Sequence, residues 1–413
     1  MSLPILIVVS LIFTRFLMTL LLDMLNIKTI YASCNQVPEC YKNFIDEESY
    51  SKSIAYTLDK IKFEMIENLF GSIVLAAVFL VGFLPWGFGL LESFLGTGIW
   101  AQSLNIVILL AVLSIPDLPF DWYNQFRLEE RHGFNKSSQA LWISDKIKGF
   151  ALSLLIGVPL LALLIGFFET FPTNWWIFCF VAIVVFQLLM VMIYPRIILP
   201  IFNKVEPLKD GELKDKLFTL ADKCGFKARS IQVMDGSKRS SHSNAFFTGF
   251  GKFRRVIFYD TILEQLSDDE IESVLAHEIG HYKKGHIWKM MFVSFATLGL
   301  AFYIMSVLAQ SEFFYNSFGF TQSSGFGPVI LLFMLLSGLF TFWLSPISNY
   351  FSRKNEYEAD NYAKKICGTP LNLISALRKL HKKNLGNLTP HPLYSTFHYS
   401  HPTLLERERN LQQ

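Results

Sequence analysis

The sequence predicts a mainly α, polytopic membrane protein: seven transmembrane helices and a small cytoplasmic α/β unit. Composition points there first, because 52% of the 413 residues are hydrophobic, 15% aromatic and only 17% charged, far from an average soluble domain. Seven apolar runs are long enough, or nearly so, to cross a bilayer, which takes about 20 helical residues. Polarity then changes sharply after the fifth run, where about residues 205–285 carry strand-like and helix-like patterns in alternation.

The runs lie near residues 3–22, 69–91, 98–115, 147–168, 174–200, 287–311 and 327–347. The first lacks the basic start of a secretory signal and carries Arg15 in mid-run. In "YASC", ending at Cys34, the bulky Tyr31 stands where a lipoprotein signal has a small aliphatic residue, so this run is expected to be a retained helix. The connections 92–97, 169–173 and 312–326 contain no Lys or Arg, whereas Lys28, Lys42, Lys52, Lys60 and Lys62 follow the first run and Arg127, Arg131 and Lys136 follow the third. Basic residues accumulate on the cytoplasmic side, so the N-terminus is expected outside and the C-terminus inside. A net charge of +3, with no basic arm, speaks against nucleic acid as a partner. The five cysteines form no CxxC pair and are expected as reduced thiols; a Cys34–Cys40 bridge would require the opposite topology.

This pattern divides the chain into a transmembrane region with five spans (1–200), a cytoplasmic segment (201–286), a hairpin of spans six and seven (287–347) and a second cytoplasmic segment (348–413). In the first cytoplasmic segment Leu213, Leu217, Leu220, Ala221 and Cys224 follow helical spacing, and "SIQVMD", "NAFFTGF" and "RRVIFYD" read as short strands. A further helix starts with Ser267 and Glu270 in capping-box positions, with Asp268 and Asp269 in its first turn. In the second, "SRKNEYEADNYAKK" lacks Gly and Pro until Gly368 and is a helix candidate. The hairpin would bring the two segments together on one side of the membrane.

The capped helix carries "VLAHEIGHYKKGH". Residues four apart share a helix face, so the imidazoles of His277 and His281 can hold one ion, and zinc is the natural occupant. Glu278 beside them suits a general base that takes a proton from water and passes it to a leaving amine. His286 fails as a metzincin third ligand, because Lys284 and Ile287 occupy the positions where that pattern has Gly and His; it reads as a polar residue at the membrane edge. Glu356 in "NEYEAD" is the better third ligand, with Asp360 one turn on to orient a liganding histidine, while Glu358 points elsewhere. The alternative is an acidic surface helix paired with Lys354 and Lys364.

The motifs "HEIGH", "SRKNEYEAD", "SNAFFTGF", "FDWYNQFRLEERHGFN" and "YSHPTLLER", in this order and with seven spans, resemble those of the integral-membrane zinc endopeptidases of the CAAX prenyl protease type. The resemblance implies that His277, His281 and Glu356 bind one Zn2+ per chain in a gluzincin-type site, that Glu278 is the catalytic base and that Asp360 orients a histidine. It further implies that Asn244 and His401 lie near the scissile bond, where an amide and an imidazole are donors suited to a developing oxyanion. The strand "AFFTGF" could pair with an extended substrate. The family is described as enclosing a hollow chamber with zinc at its cytoplasmic end.

The expected function is therefore membrane-embedded hydrolysis of peptide bonds near the C-terminus of prenylated or other membrane-associated proteins, with the lipid bilayer and a lipidated peptide or protein as partners. A quality-control zinc protease for membrane proteins uses the same site, and a seven-span transporter or scaffold with a structural zinc is the alternative from another class. Two histidines and a carboxylate leave a coordination position open, unlike most structural zinc sites. The C-terminus "NLQQ" carries no retrieval signal, which favours a bacterial inner membrane, with the endoplasmic reticulum as the alternative and the site facing the cytoplasm. "RLEERHGFN" reads as an interfacial salt-bridge cluster, and His242, His381, His391 and His398 as surface or packing residues.

Overall fold

A computed structural model describes residues 2–226, 230–248 and 255–413. Seven of the described helices are long and apolar enough to cross a membrane. They are α1 (Leu3–Ser33), α2 (Glu47–Leu80), α4 (Ile99–Glu129), α5 (Gln139–Thr170), α6 (Trp175–Phe202), α9 (His286–Leu308) and α10 (Gly327–Cys367), with a shorter apolar α3 (Phe83–Leu95) between the second and the fourth. Most extend beyond the apolar runs, because hydropathy marks the part immersed in lipid and the helix continues past it. Ser2 caps α1, its hydroxyl accepting from the Ile5 N–H at 3.4 Å. Asp46 caps α2, its carboxylate accepting from the Ser49 N–H at 2.8 Å.

The expected second span, 69–91, is not one helix. Gly82 adopts φ +69° and separates α2 from α3, a left-handed conformation that glycine enters without a Cβ penalty. A hydropathy window averages across such a turn and does not register it. The span belongs instead to α2, whose 34 residues begin well before the apolar run.

Between the helices, aromatic side chains fill the membrane-level core: the Phe168 and Phe326 rings stack with centroids 4.9 Å apart, and Trp175 meets Phe326 edge-on at 4.3 Å. Outward-facing Phe94, Phe292, Val293 and Leu344 are left exposed, as side chains that face lipid are.

After α6 the chain forms a four-stranded sheet in the order β1 (Val205–Pro207), β2 (Ser230–Met234), β4 (Arg255–Tyr259), β3 (Ala245–Thr248). β2 and β4 are parallel and the other pairs antiparallel. The three expected strands are present, although Gly249, Phe250 and Arg254 of their motifs lie outside the described residues. β1 was not expected, since three residues ending in proline carry no period. Ile231, Val256 and Phe258 pack with Leu217 and Leu220 of α7 (Glu212–Lys223) and with Ile271 and Leu275 of α8 (Asp268–Lys283).

The last span runs without a break through Pro346 into "NEYEAD" and ends at Gly368, φ +75°. One 41-residue helix therefore carries both the seventh span and the candidate third ligand. Two further helices, α11 (Leu371–Lys383) and α12 (Leu404–Gln412), close over α8 and α10.

Candidate metal centre

The capping box at the start of α8 is present: the Ser267 N–H donates to Glu270 at 2.8 Å, and the Ser267 side chain caps the N3 backbone. Glu270 also receives Lys379 Nζ at 2.8 Å and the Ser375 hydroxyl at 2.6 Å, so the same carboxylate starts α8 and ties it to α11. Burial pushes the Glu270 carboxyl up, but these donors together hold it below the ordinary range.

Two turns along, His277 and His281 meet Glu356 of α10. Their Nε2 atoms are 3.2 Å apart; His277 Nε2 lies 3.4 Å from Glu356 Oε2, and His281 Nε2 lies 3.1 Å from Glu356 Oε1. These three residues form a group able to hold a metal ion. A tetrahedral ion with bonds of about 2.0–2.1 Å spaces its ligands by about 3.3 Å, which matches these separations. Glu356 is only 4% exposed, and its Oε2 makes no hydrogen bond; a buried carboxylate oxygen in that state calls for a cation. The surface-helix alternative with Lys354 and Lys364 does not fit a buried Glu356.

Behind this group, Asp360 Oδ1 lies 2.8 Å from His277 Nδ1. Asp360 is held by Arg407 of α12, whose Nε and Nη2 donate to Oδ2 and Oδ1 at 2.9 and 2.5 Å. Arg407 also places Nη1 3.6 Å from Glu356 Oε2 and Nη2 3.4 Å from His277 Nδ1. Sequence reasoning missed Arg407, which sits in "LLERERN" and looks like one charge among several on a surface helix. A signal was available, because Leu404, Arg407, Glu408 and Leu411 follow the spacing of a buried helix face and are all buried.

The His277 ring is subject to opposed influences: burial disfavours its charged form, whereas the Asp360 and Glu356 carboxylates raise its pKa, to about 9. Burial pushes the Glu278 carboxyl above its ordinary range, partly offset by His277 and His281. A carboxyl tuned upward is suited to accept a proton near neutral pH.

His401 joins the group, its Nε2 lying 3.5 Å from Glu356 Oε1. Asn244 stands at the head of β3, where its Oδ1 accepts from the Ala245 N–H at 2.8 Å and its carbonyl from the Tyr259 N–H at 3.0 Å. Neither bond reaches the histidines or Glu356. His286, expected as a polar residue at the membrane edge, opens the sixth span and is buried, 1% exposed; its Nδ1 is 3.0 Å from His281 Nδ1 and its Nε2 3.1 Å from Glu358 Oε2. Glu358, two residues or roughly 200° around α10 from Glu356, points away from the group as expected and meets His286 at the start of α9.

The "RLEERHGFN" segment does form the expected ionic cluster. Arg131 and His132 lie 2.9 and 3.1 Å from Asp59, and the Tyr56 hydroxyl donates to Glu129 at 2.8 Å. It also anchors His242, which stacks on Phe134 with centroids 4.0 Å apart and places Nε2 3.3 Å from Glu129. All five cysteines are free thiols, as expected.

An α-helical membrane body and an HExxH helix that faces a carboxylate from the last span define a polytopic membrane metallopeptidase. Residues 26–204 match the family described as CAAX prenyl protease N-terminal, five membrane helices, and residues 207–413 match peptidase family M48. The chain is 40% identical to CAAX prenyl protease 1 of Saccharomyces cerevisiae, over 90% of this chain and 87% of that one. It is 32% identical to the CAAX prenyl protease 1 homolog of Homo sapiens, over 93% and 90% of the two chains. Its fold matches the crystal structure of S. mikatae Ste24p with a TM-score of 0.93 and 35% identity, over the whole of both chains. The chain belongs to peptidase family M48, and it is an integral membrane metallopeptidase. These relatives are eukaryotic, so the expectation of a bacterial inner membrane loses its support; the absence of a short C-terminal retrieval motif says little about lineage.

Proposed function

We propose that the chain is a zinc endopeptidase cleaving near the C-terminus of prenylated, CAAX-type proteins in a eukaryotic membrane, the endoplasmic reticulum being the favoured one, with its site on the cytoplasmic side. The observation that carries this reading is the convergence of His277, His281 and Glu356 at metal-ligand spacing in a chain that is similar over most of its length to CAAX prenyl proteases. The loop charges support the cytoplasmic orientation. Segments 201–286 and 348–413 supply the site, and 1–200 and 287–347 the membrane body.

In this reading His277, His281 and Glu356 hold one Zn2+ per chain. Zinc bound there would supply Lewis acidity, polarising a peptide carbonyl and bringing the pKa of water to about 7. Glu278 takes a proton from the water that adds to the carbonyl carbon and delivers it to the amine nitrogen as the C–N bond breaks. His401 donates from Nε2 to the developing oxyanion; its ring reaches the edge of the group while its side chain stays 64% exposed, open to a substrate. Asn244 stands at the head of β3, one of the two outer strands of the described sheet, where an extended substrate could add as a further strand. Asp360 keeps the His277 proton on Nδ1, leaving Nε2 free as a ligand.

The test is cleavage of a farnesylated C-terminal peptide and its unlipidated twin by detergent-purified protein, with Glu278→Gln as control and zinc measured in both proteins. The variant is expected to retain zinc and to lose about 10²–10⁴-fold in kcat, and the lipidated peptide to be strongly preferred. Equal cleavage of both peptides would shift the assignment to general quality control of membrane proteins. Full activity of Glu278→Gln would overturn the catalytic assignment.

A further inference from the structure

The two candidate histidine ligands are oriented in different ways. His277 meets a carboxylate directly, through Asp360. His281 meets none on its Nδ1; that atom faces His286 Nδ1 at 3.0 Å, and the far nitrogen of His286 faces Glu358 at 3.1 Å. We propose that His286 and Glu358 form a positioning dyad that holds His281 in its metal-binding tautomer, a proposal that rests on the reading of His281 as a metal ligand.

The proton arrangement follows from the geometry. A ligating His281 needs a free lone pair on Nε2, so its proton sits on Nδ1. Two facing imidazole nitrogens at hydrogen-bond distance share one proton, so His286 Nδ1 accepts. The proton of His286 is then on Nε2, where the Glu358 carboxylate accepts it. Every donor and acceptor in the chain Glu358–His286–His281 is satisfied once. The reverse arrangement would put a proton on His281 Nε2, which points at Glu356 Oε1 and His277 Nε2, and would block the ligand atom.

The fold holds the dyad in place. Gly285, φ +69°, makes the turn between α8 and α9, so that His286 opens α9 with its ring folded back on His281, the two ring centroids 5.1 Å apart and nearly perpendicular. His286 is 1% exposed, so its Nδ1 has His281 rather than water as its partner. Glu358 comes from the helix that also supplies Glu356 and Asp360, and Lys289 Nζ stands 3.9 Å from its Oε2. Helices α8, α9 and α10 therefore meet in one chain of hydrogen bonds, and the orientation of His281 depends on how the sixth and seventh spans sit against each other.

The experiment measures zinc affinity by chelator competition on the detergent-purified full chain, together with the visible spectrum of the cobalt-substituted protein. His286→Ala is expected to weaken zinc binding by about 10–100-fold and to alter the cobalt spectrum. His286→Asn should recover most of that loss, because an amide oxygen at the δ position can still accept from His281 Nδ1. Glu358→Ala, at a side chain 34% exposed and so tolerant of truncation, should weaken binding to a smaller extent. Wild-type zinc affinity in a folded His286→Ala, or equal losses in the Ala and Asn variants, would overturn the dyad. If His286→Ala does not fold, Glu358→Ala decides alone, and unchanged affinity there overturns it. His281→Ala separates the two readings: unchanged zinc affinity in that variant would remove the ligand assignment itself, whereas loss there with unchanged affinity in the dyad variants removes only the dyad.

Discussion

Gly280 of α8 lies directly against the backbone of Ala359 in α10: a Cβ at Gly280 would stand 3.0 Å from the Ala359 Cα and 3.1 Å from its carbonyl oxygen. The two helices touch backbone to backbone between His281 on one side and Glu356 and Asp360 on the other. The short carboxylate side chains reach the imidazoles because nothing separates the helices there.

Gly280→Ala is therefore expected to damage the site even though alanine is the better helix former, by about 1 kcal/mol. The atoms it would meet are the Ala359 backbone and the Tyr362 Cβ, which cannot swing aside, so α8 must shift by a few tenths of an ångström. Overpacking of this kind costs about 1–3 kcal/mol. Thermal unfolding and zinc titration of the purified variant check this; a more stable variant with wild-type zinc affinity would contradict the packing argument.

Arg407 faces Asp360 in a two-pronged contact and stands near Glu356 and His277. Arg407→Ala leaves buried carboxylates without their cation, a loss of about 3–5 kcal/mol for a buried pair broken from one side. Arg407→Lys keeps the charge but not the planar fork and should recover only part of the stability. Denaturant unfolding of the metal-free proteins orders the variants; equal stability of wild type and Arg407→Ala would refute the assignment.

Stability should also fall in acid through Glu270. Its folded pKa lies below the ordinary 4.5, so its contribution is complete above that value and is lost as pH falls through the folded pKa. Glu270→Gln keeps a capping side chain but not the charge that meets Lys379. The variant is expected to be less stable than wild type at neutral pH and to approach it as the pH is lowered below about 4.5. Unfolding midpoints across that range measure this, and a gap that widens in acid would reverse the sign.

His401→Ala should act on turnover and leave the metal group in place. The side chain is 64% exposed, so its removal creates little cavity. Loss of one oxyanion donor typically lowers kcat by about 10²–10³-fold. Steady-state kinetics with zinc content measured alongside decides: a fall in zinc matching the fall in activity would make His401 a contributor to metal binding instead.

The parts of the site readable in the chain are those whose partners are neighbours in sequence. His277, Glu278 and His281 lie within one helical turn, and Ser267 with Glu270 marks where that helix starts. Glu356 and Asp360 repeat the same four-residue spacing on α10. Seven apolar runs foretold seven helices because lipid demands length and apolarity of every residue in a span. The exception, 69–91, failed at Gly82 because a single left-handed residue leaves average hydropathy unchanged.

Contacts between distant residues had no such local trace. Arg407 meets His277 across 130 positions of sequence, and Glu358 meets His286 across 72, so a charge that reads as solvated on its own helix finds its partner on a neighbour's. The fold class and the candidate metal-binding motifs follow from period and spacing, which the linear order of residues contains. The approach of α8 to α10 at Gly280, the cation behind Asp360 and the orientation of His281 follow from which helix faces meet, and that is decided only when the whole chain has packed.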